Sequence, residues 1–245
     1  MSPVDDLAHM AYIADSMDIK PLYLLADSQL LFWRHQSALF TQGVRELIEA
    51  EAPKAAYIGA SNGDNPEFFS IFVAAMEAAG IRDCRMIPAE LKTEDQAFLN
   101  AADLVLLAGG DTALGWQAFE RNGVKEIIGR KRYDGAVLIG VSAGAVQLGL
   151  GGLVGDSTMK VLETFRFAPF YVGAHEEQDE WWNLRALINL SRTDVKGIGI
   201  PMGGGAIYYP DGTLEPVRKP LTEFSRQGDE VTETLLLGDE SPAAE

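Results

Sequence analysis

The chain is poor in the residues that usually mark a site. It has one cysteine, Cys84, in 245 residues. An intramolecular disulfide is excluded, and a reducing, cytoplasmic setting is the simplest expectation. It has three histidines, His9, His35 and His175. A closed zinc site would have to lean on carboxylates, and no ligand spacing suggests one, so no metal is expected. Cationic charge is scarce: 20 Lys and Arg stand against 36 Asp and Glu, a formal net charge of −16. That balance argues against nucleic acid and anionic membranes as partners and favours solubility. It also suits a site that prefers cationic groups. No apolar run approaches the ~18 residues that span a bilayer. The opening "MSPVDDLAHMAYIADSMD" is acidic and amphipathic, unlike a secretion signal.

What is present is an ordinary globular composition, long enough for one α/β domain. Residues 4–18 carry the pattern of an amphipathic helix. Buried-strand patterns follow at "PLYLLA" (21–26), "KAAYIGAS", "CRMIPA", "DLVLLAGGDT", "AVLIGVSAGA" and "FAPFYVGAH". Between them lie helical spacings at 35–52, at 67–80 closed by Gly80, at 93–101, and at 113–135 with a break near Asn122–Gly123. A further helix is expected over 176–192, with Trp181, Leu184 and Leu187 close to one face. Short strands and turns fill 195–217, and the last residues look solvated. This alternation predicts an α/β fold: a doubly wound, mostly parallel sheet with helices on both faces, in a single domain. The expected division is a helical extension over 1–20, the α/β body over 21–224, and a C-terminal strand with an acidic tail over 225–245. In such sheets ligands sit outside the carboxyl ends of the strands. The glycine turns "AGGDT" and "GVSAGA" both fall at such ends.

Gly140-Val141-Ser142-Ala143-Gly144 fits the G-x-S-x-G pattern of a nucleophile elbow. A serine on a sharp strand-to-helix turn has a strained backbone, so its neighbours must be small. Its Oγ then projects above the sheet. The helix N-terminus faces any oxyanion formed there, and the Ala143 N–H supplies one donor. A serine that merely caps a helix among packing glycines gives the same pattern. A nucleophile needs a base, and only His175 lies downstream, at the end of a predicted strand on the same sheet edge. His35 and His9 look structural or exposed. The α/β-hydrolase order of Ser, acid and then a late His fits poorly, because His175 follows the serine too soon.

"LLAGGDT", "GVSAGA" and "FYVGAH", in that order, resemble the peptidase E and cyanophycinase family. The resemblance covers roughly residues 20–217. It implies a class I glutamine amidotransferase-like fold and a serine peptidase, with Ser142 as nucleophile and His175 as base. It also implies a second oxyanion donor at Gly110 or its neighbour Gly109. Asp111 and Thr112 would cap the following helix. The family's acid, in a "GxPEG" or "GxDE" setting, falls on Met202, which cannot orient an imidazole. Glu177 stands in the H-x-E spacing of the related amidotransferases, so it is the expected third member, ahead of Asp156. The same acidic residues also read as the first turn of a helix.

Asp111, Trp181 and Arg185 are the candidate substrate-binding residues. Arg185 is the only cation in the segment that follows His175, "EEQDEWWNLR", and at least one of Trp181 and Trp182 is expected in the core. A substrate with a cationic group or free amine fits the acidic segment better than an aspartyl one. The resulting expectation is cleavage of small peptides or isopeptides through an acyl-enzyme, without a cofactor. The alternatives are a silent member that binds a ligand or partner, and an acyl-transfer enzyme. An amidotransferase would need a cysteine at Ser142. Such folds often pair, so a homodimer is also in view.

Overall fold

A computed structural model describes residues 19–155 and 159–238. The helix expected over 4–18, Asp156 and the tail from 239 lie outside the described residues. The first strands are β1 (Leu22–Leu25), the short pair β2 (Arg34–His35) and β3 (Ala38–Leu39), β4 (Lys54–Ile58), β5 (Asp83–Ile87), β6 (Leu104–Leu107) and β7 (Val137–Val141). Then come β8 (Gly151–Val154), β9 (Lys160–Glu163), β10 (Phe170–Ala174), β11 (Val195–Ile200), β12 (Gly205–Tyr208), β13 (Leu214–Val217), β14 (Leu221–Gln227) and β15 (Glu230–Leu236). The helices are α1 (Phe40–Glu46), α2 (Pro66–Ala78), α3 (Thr93–Ala101), α4 (Thr112–Asn122), α5 (Val124–Tyr133), α6 (Ala143–Leu148) and α7 (Trp182–Leu190).

The central sheet has the order β13-β12-β1-β7-β6-β4-β5. It is parallel from β1 to β5, with β12 and β13 antiparallel at one edge. The apolar runs form strands because both faces are covered. Leu22 and Leu24 face a core with Trp116 and Phe119 of α4 and Ile128 of α5. Tyr23 and Leu25 face the other, with Val44 of α1 and Phe72 and Met76 of α2. Each such buried side chain contributes about 1.5–3 kcal/mol. The chain steps from β4 out to β5 and returns to β6 on the opposite side of β4. That reversal opens a crevice at the carboxyl ends of β4 and β6.

Helix ends follow local chemistry. Asn65 caps α2 by accepting from the Glu67 N–H at 2.8 Å, with Pro66 in the first turn. At its far end Gly80 takes φ +85°, and the Ile81 N–H reaches the Met76 carbonyl at 2.8 Å. Gly123, at φ +77°, separates α4 from α5 where a break was expected.

Two expectations need correction. The helix expected over 35–52 is only α1, because Gln36 and Ser37 take positive φ and turn the chain between β2 and β3. The helix expected over 176–192 begins at Trp182, because Glu180 and Trp181 take left-handed backbone and break the helix there. β10, β11, β14 and β15 form a second, four-stranded sheet. Helix α7 packs on it through Leu184 and Ile188 against Phe224. Among the described residues no helix is long and apolar enough to cross a membrane.

Candidate active site

Strand β7 delivers Ser142 into a turn with φ +49° and ψ −110°, and α6 begins at the next residue. The flanking glycines have steric causes. A Cβ on Gly140 would sit 2.5 Å from the Gly144 carbonyl oxygen, and one on Gly144 would sit 2.1 Å from that of Leu107. The helix thus lies directly on β6 and β7. The Ser142 N–H donates to the Leu25 carbonyl at 2.8 Å, and its own carbonyl accepts from Ala145 and Val146. The main chain of the serine is held, and its hydroxyl is left free to act.

That hydroxyl lies 2.8 Å from His175 Nε2. His175 ends β10, at φ +49°, and its N–H donates to the Ile200 carbonyl at 2.9 Å. Two non-glycine residues in left-handed backbone therefore face each other. Each such conformation costs of order 1–3 kcal/mol and persists only where its surroundings enforce it.

The donor positions lie beside the serine. Ala143 is the first residue of α6, where an N–H has no intrahelical acceptor. Gly109 and Gly110 follow β6, and a Cβ on Gly109 would come within 3.3 Å of the Ser142 Cβ. Gly110 has φ +131°, and its Cβ would lie 2.1 Å from the Ser61 carbonyl oxygen. The turn is pinned from behind: the Asp111 N–H donates to that same carbonyl at 2.7 Å. Gln147 of α6, fully buried, donates through Nε2 to Ser61 Oγ and to the Thr112 carbonyl, both at 3.1 Å. Sequence reasoning missed Ser61 and Gln147. The visible signal was a lone amide in the otherwise small and apolar run "AGAVQLGL".

Glu177 is not bonded to the base. Its Oε1 accepts from the Met202 N–H at 3.0 Å, and its Oε2 is buried without a partner. Among the described residues no carboxylate is hydrogen-bonded to the His175 ring. Asp27, also unforeseen, accepts from the next amide, Gly203, at 2.6 Å. Two carboxylates thus hold successive N–H groups of one loop. Glu176 caps α7, accepting from Asn183 Nδ2 at 2.9 Å and the Leu184 N–H at 3.4 Å.

The expected substrate-binding residues are not gathered at the serine. Trp181 is core, with its ring where a Cβ on Gly199 would stand. Arg185 pairs with Glu233 at 2.6 Å and lies over the Phe224 ring. Asp111 caps α4, accepting from the Leu114 N–H at 2.8 Å. His35 is exposed beside Trp33, far in the chain from this edge. Among the described residues no cluster of His, Cys, Asp and Glu suits a metal ion.

No curated protein matches the chain. In fold it is similar to a peptidase from an acI-B1 actinobacterium, at 18% identity and TM-score 0.64, over 91% of this chain and 96% of that one. It is also similar to a candidate peptidase E from Listeria monocytogenes EGD-e, at 16% identity and TM-score 0.55, over 89% of this chain and 100% of that one. The model of peptidase family S51 matches residues 22–213. On that match the chain belongs to peptidase family S51, and membership supports a serine peptidase-type function.

Proposed function

We propose that the protein cleaves small peptides or isopeptides through an acyl-enzyme on Ser142. The observation that carries this reading is the 2.8 Å contact between Ser142 Oγ and His175 Nε2 at a strained strand-to-helix turn. With its proton on Nδ1, the imidazole accepts the hydroxyl proton through Nε2 as Oγ attacks the carbonyl carbon. The carbonyl π electrons move onto oxygen, which the Gly110 and Ala143 N–H groups receive. Collapse breaks the C–N bond, and the imidazolium returns its proton to the leaving amine. Water then repeats the sequence on the ester and regenerates Ser142.

Glu177 supports the imidazolium from two residues away, with one buried carboxyl oxygen left unpartnered. Its other oxygen steadies the Met202 amide beside the site. Lacking a direct bond to the ring, it contributes less than the ~10⁴-fold of a bonded triad acid.

The test is intact-mass spectrometry after incubation with a fluorophosphonate. Wild-type protein gains one adduct, Ser142→Ala gains none, and Glu177→Gln labels about 10- to 100-fold more slowly. An unlabelled wild type overturns the reading. It would favour a ligand-binding member whose base has lost its acid, a reading motivated by the absence of any carboxylate bonded to the His175 ring among the described residues.

A further inference from the structure

A cleft of about 230 Å³ opens beside Ser142 at the carboxyl ends of β1, β4, β6 and β7. Its walls are apolar: Leu31, Phe68, Ile71, Phe72, Leu106 and Val141. Phe68 and Ile71 stand three residues apart on α2, exposed by 48% and 36% at the mouth of the cleft. Two large apolar side chains facing an open cleft are ready to be covered by a ligand. A cavity of ~150 Å³ accepts benzene, so there is room here for one aromatic or branched side chain.

The polar lining gives no counter-ion to an acidic group. Among the described residues no Lys or Arg lines the cleft. The Tyr57 hydroxyl accepts from Asn62 Nδ2 at 2.9 Å, and burial holds the phenol above its ordinary value, so it stays neutral. Asp27 stands at the rim, its carboxylate accepting from the Gln29 and Gly203 N–H groups. Its oxygens act there as acceptors and offer nothing that would pair with a second carboxylate.

Gly109, Gly110, Ser142 and His175 share its wall, so a substrate whose carbonyl sits at the donors places one of its substituents in the cleft. His175, which serves the leaving amine, is also exposed to solvent, which gives the leaving group a way out and leaves the cleft to the acyl substituent. We propose that the cleft receives the side chain on the acyl side of the scissile bond and selects an apolar residue, aromatic or branched aliphatic. This inference rests on Ser142 acting as the nucleophile.

The test uses aminoacyl p-nitroanilides that share one leaving group and differ only in the acyl residue: Leu, Phe, Asp and Lys. An unpaired charge in an apolar pocket is heavily penalised, so kcat/KM for Leu and Phe should exceed that for Asp and Lys by about 100-fold or more. Ile71→Arg, at a partly exposed position, should raise Asp relative to Leu by at least about tenfold by supplying the missing counter-ion. Phe68→Arg gives a second chance at the same shift. Fluorophosphonate labelling of each protein runs in parallel. Labelled protein with equal rates across the four substrates, or with Asp preferred, overturns the cleft assignment alone. Wild type that neither labels nor turns over any anilide overturns the nucleophile and the cleft together.

Discussion

Steric exclusion at single residues explains why the G-x-S-x-G stretch was readable. Gly144 lacks a side chain because a Cβ would meet the Leu107 carbonyl at 2.1 Å, whereas a Cβ on Gly129 of α5 would meet nothing within 4 Å. The two therefore respond oppositely to alanine. Gly144→Ala should lose about 1–3 kcal/mol by forcing α6 off the sheet, and its phosphonate labelling should slow with it. Gly129→Ala should gain about 0.5–1 kcal/mol from helix propensity, with labelling unchanged. Thermal unfolding of the two variants checks both signs. Such exclusions fix the residue type at the position itself, so they leave a legible pattern even where the neighbour is distant. The acid did not. Glu177 was placed by its spacing from His175, but its direction is set by the Met202 amide, 25 positions further along. Asp27 was silent for the same reason, since its partner at Gly203 is 176 positions away.

At the scale of elements, chemistry written into the chain ends was legible and chemistry supplied from afar was not. Asn65-Pro66, Gly80 and Gly123 mark their helix boundaries with residues suited to those positions. Gln36-Ser37 turn a hairpin without any of the usual glycine or asparagine at the positive φ positions, so the helical spacing of 35–52 misled. The α6 helix carries the main consequence. Its Gln147 ties Ser61 to Thr112, and Ser61 in turn holds the Asp111 amide just after Gly110. Gln147 is a positioning residue for that turn. Gln147→Leu should leave the Ser61 and Thr112 groups short of a donor, at about 1–3 kcal/mol of stability. In the proposed mechanism the donor at Gly110 serves an oxyanion that exists only in the transition state. The loss should therefore appear as about a 10-fold or greater fall in kcat with KM little changed. A variant that loses stability but keeps kcat would reduce Gln147 to a packing role.

The whole molecule places the serine and its base on different sheets. Ser142 belongs to β7 of the central sheet, and His175 to β10 of the second. Their 2.8 Å separation is set by how the sheets are joined. One joint is the loop between β11 and β12, held by Glu177 at Met202 and by Asp27 at Gly203. Another is the end of α6, where the Leu150 N–H donates to the Phe170 carbonyl at 3.0 Å. The doubly wound body was legible because its strands are apolar on both faces. The second sheet was not, because its strands β14 and β15 are partly polar and β14 pairs with β11 across the intervening β12 and β13, a gap that periodicity cannot bridge. Its core is small: Trp181, Leu184, Ile188 and Phe224, with the last fully buried. Phe224→Ala should therefore cost about 3–5 kcal/mol through the cavity it leaves. It also removes the ring under Arg185, whose guanidinium stands 4.7 Å from the centroid. Ser142 keeps its turn, which is held on the central sheet by the Leu25 carbonyl and by the close approach of α6 to β6. Labelling by a fluorophosphonate, measured below the onset of unfolding, should nevertheless slow several-fold as β10 loosens and His175 drifts from the hydroxyl. Labelling at the wild-type rate in folded Phe224→Ala protein would mean that the joints alone hold the pair together, and that the second sheet's core matters only for stability.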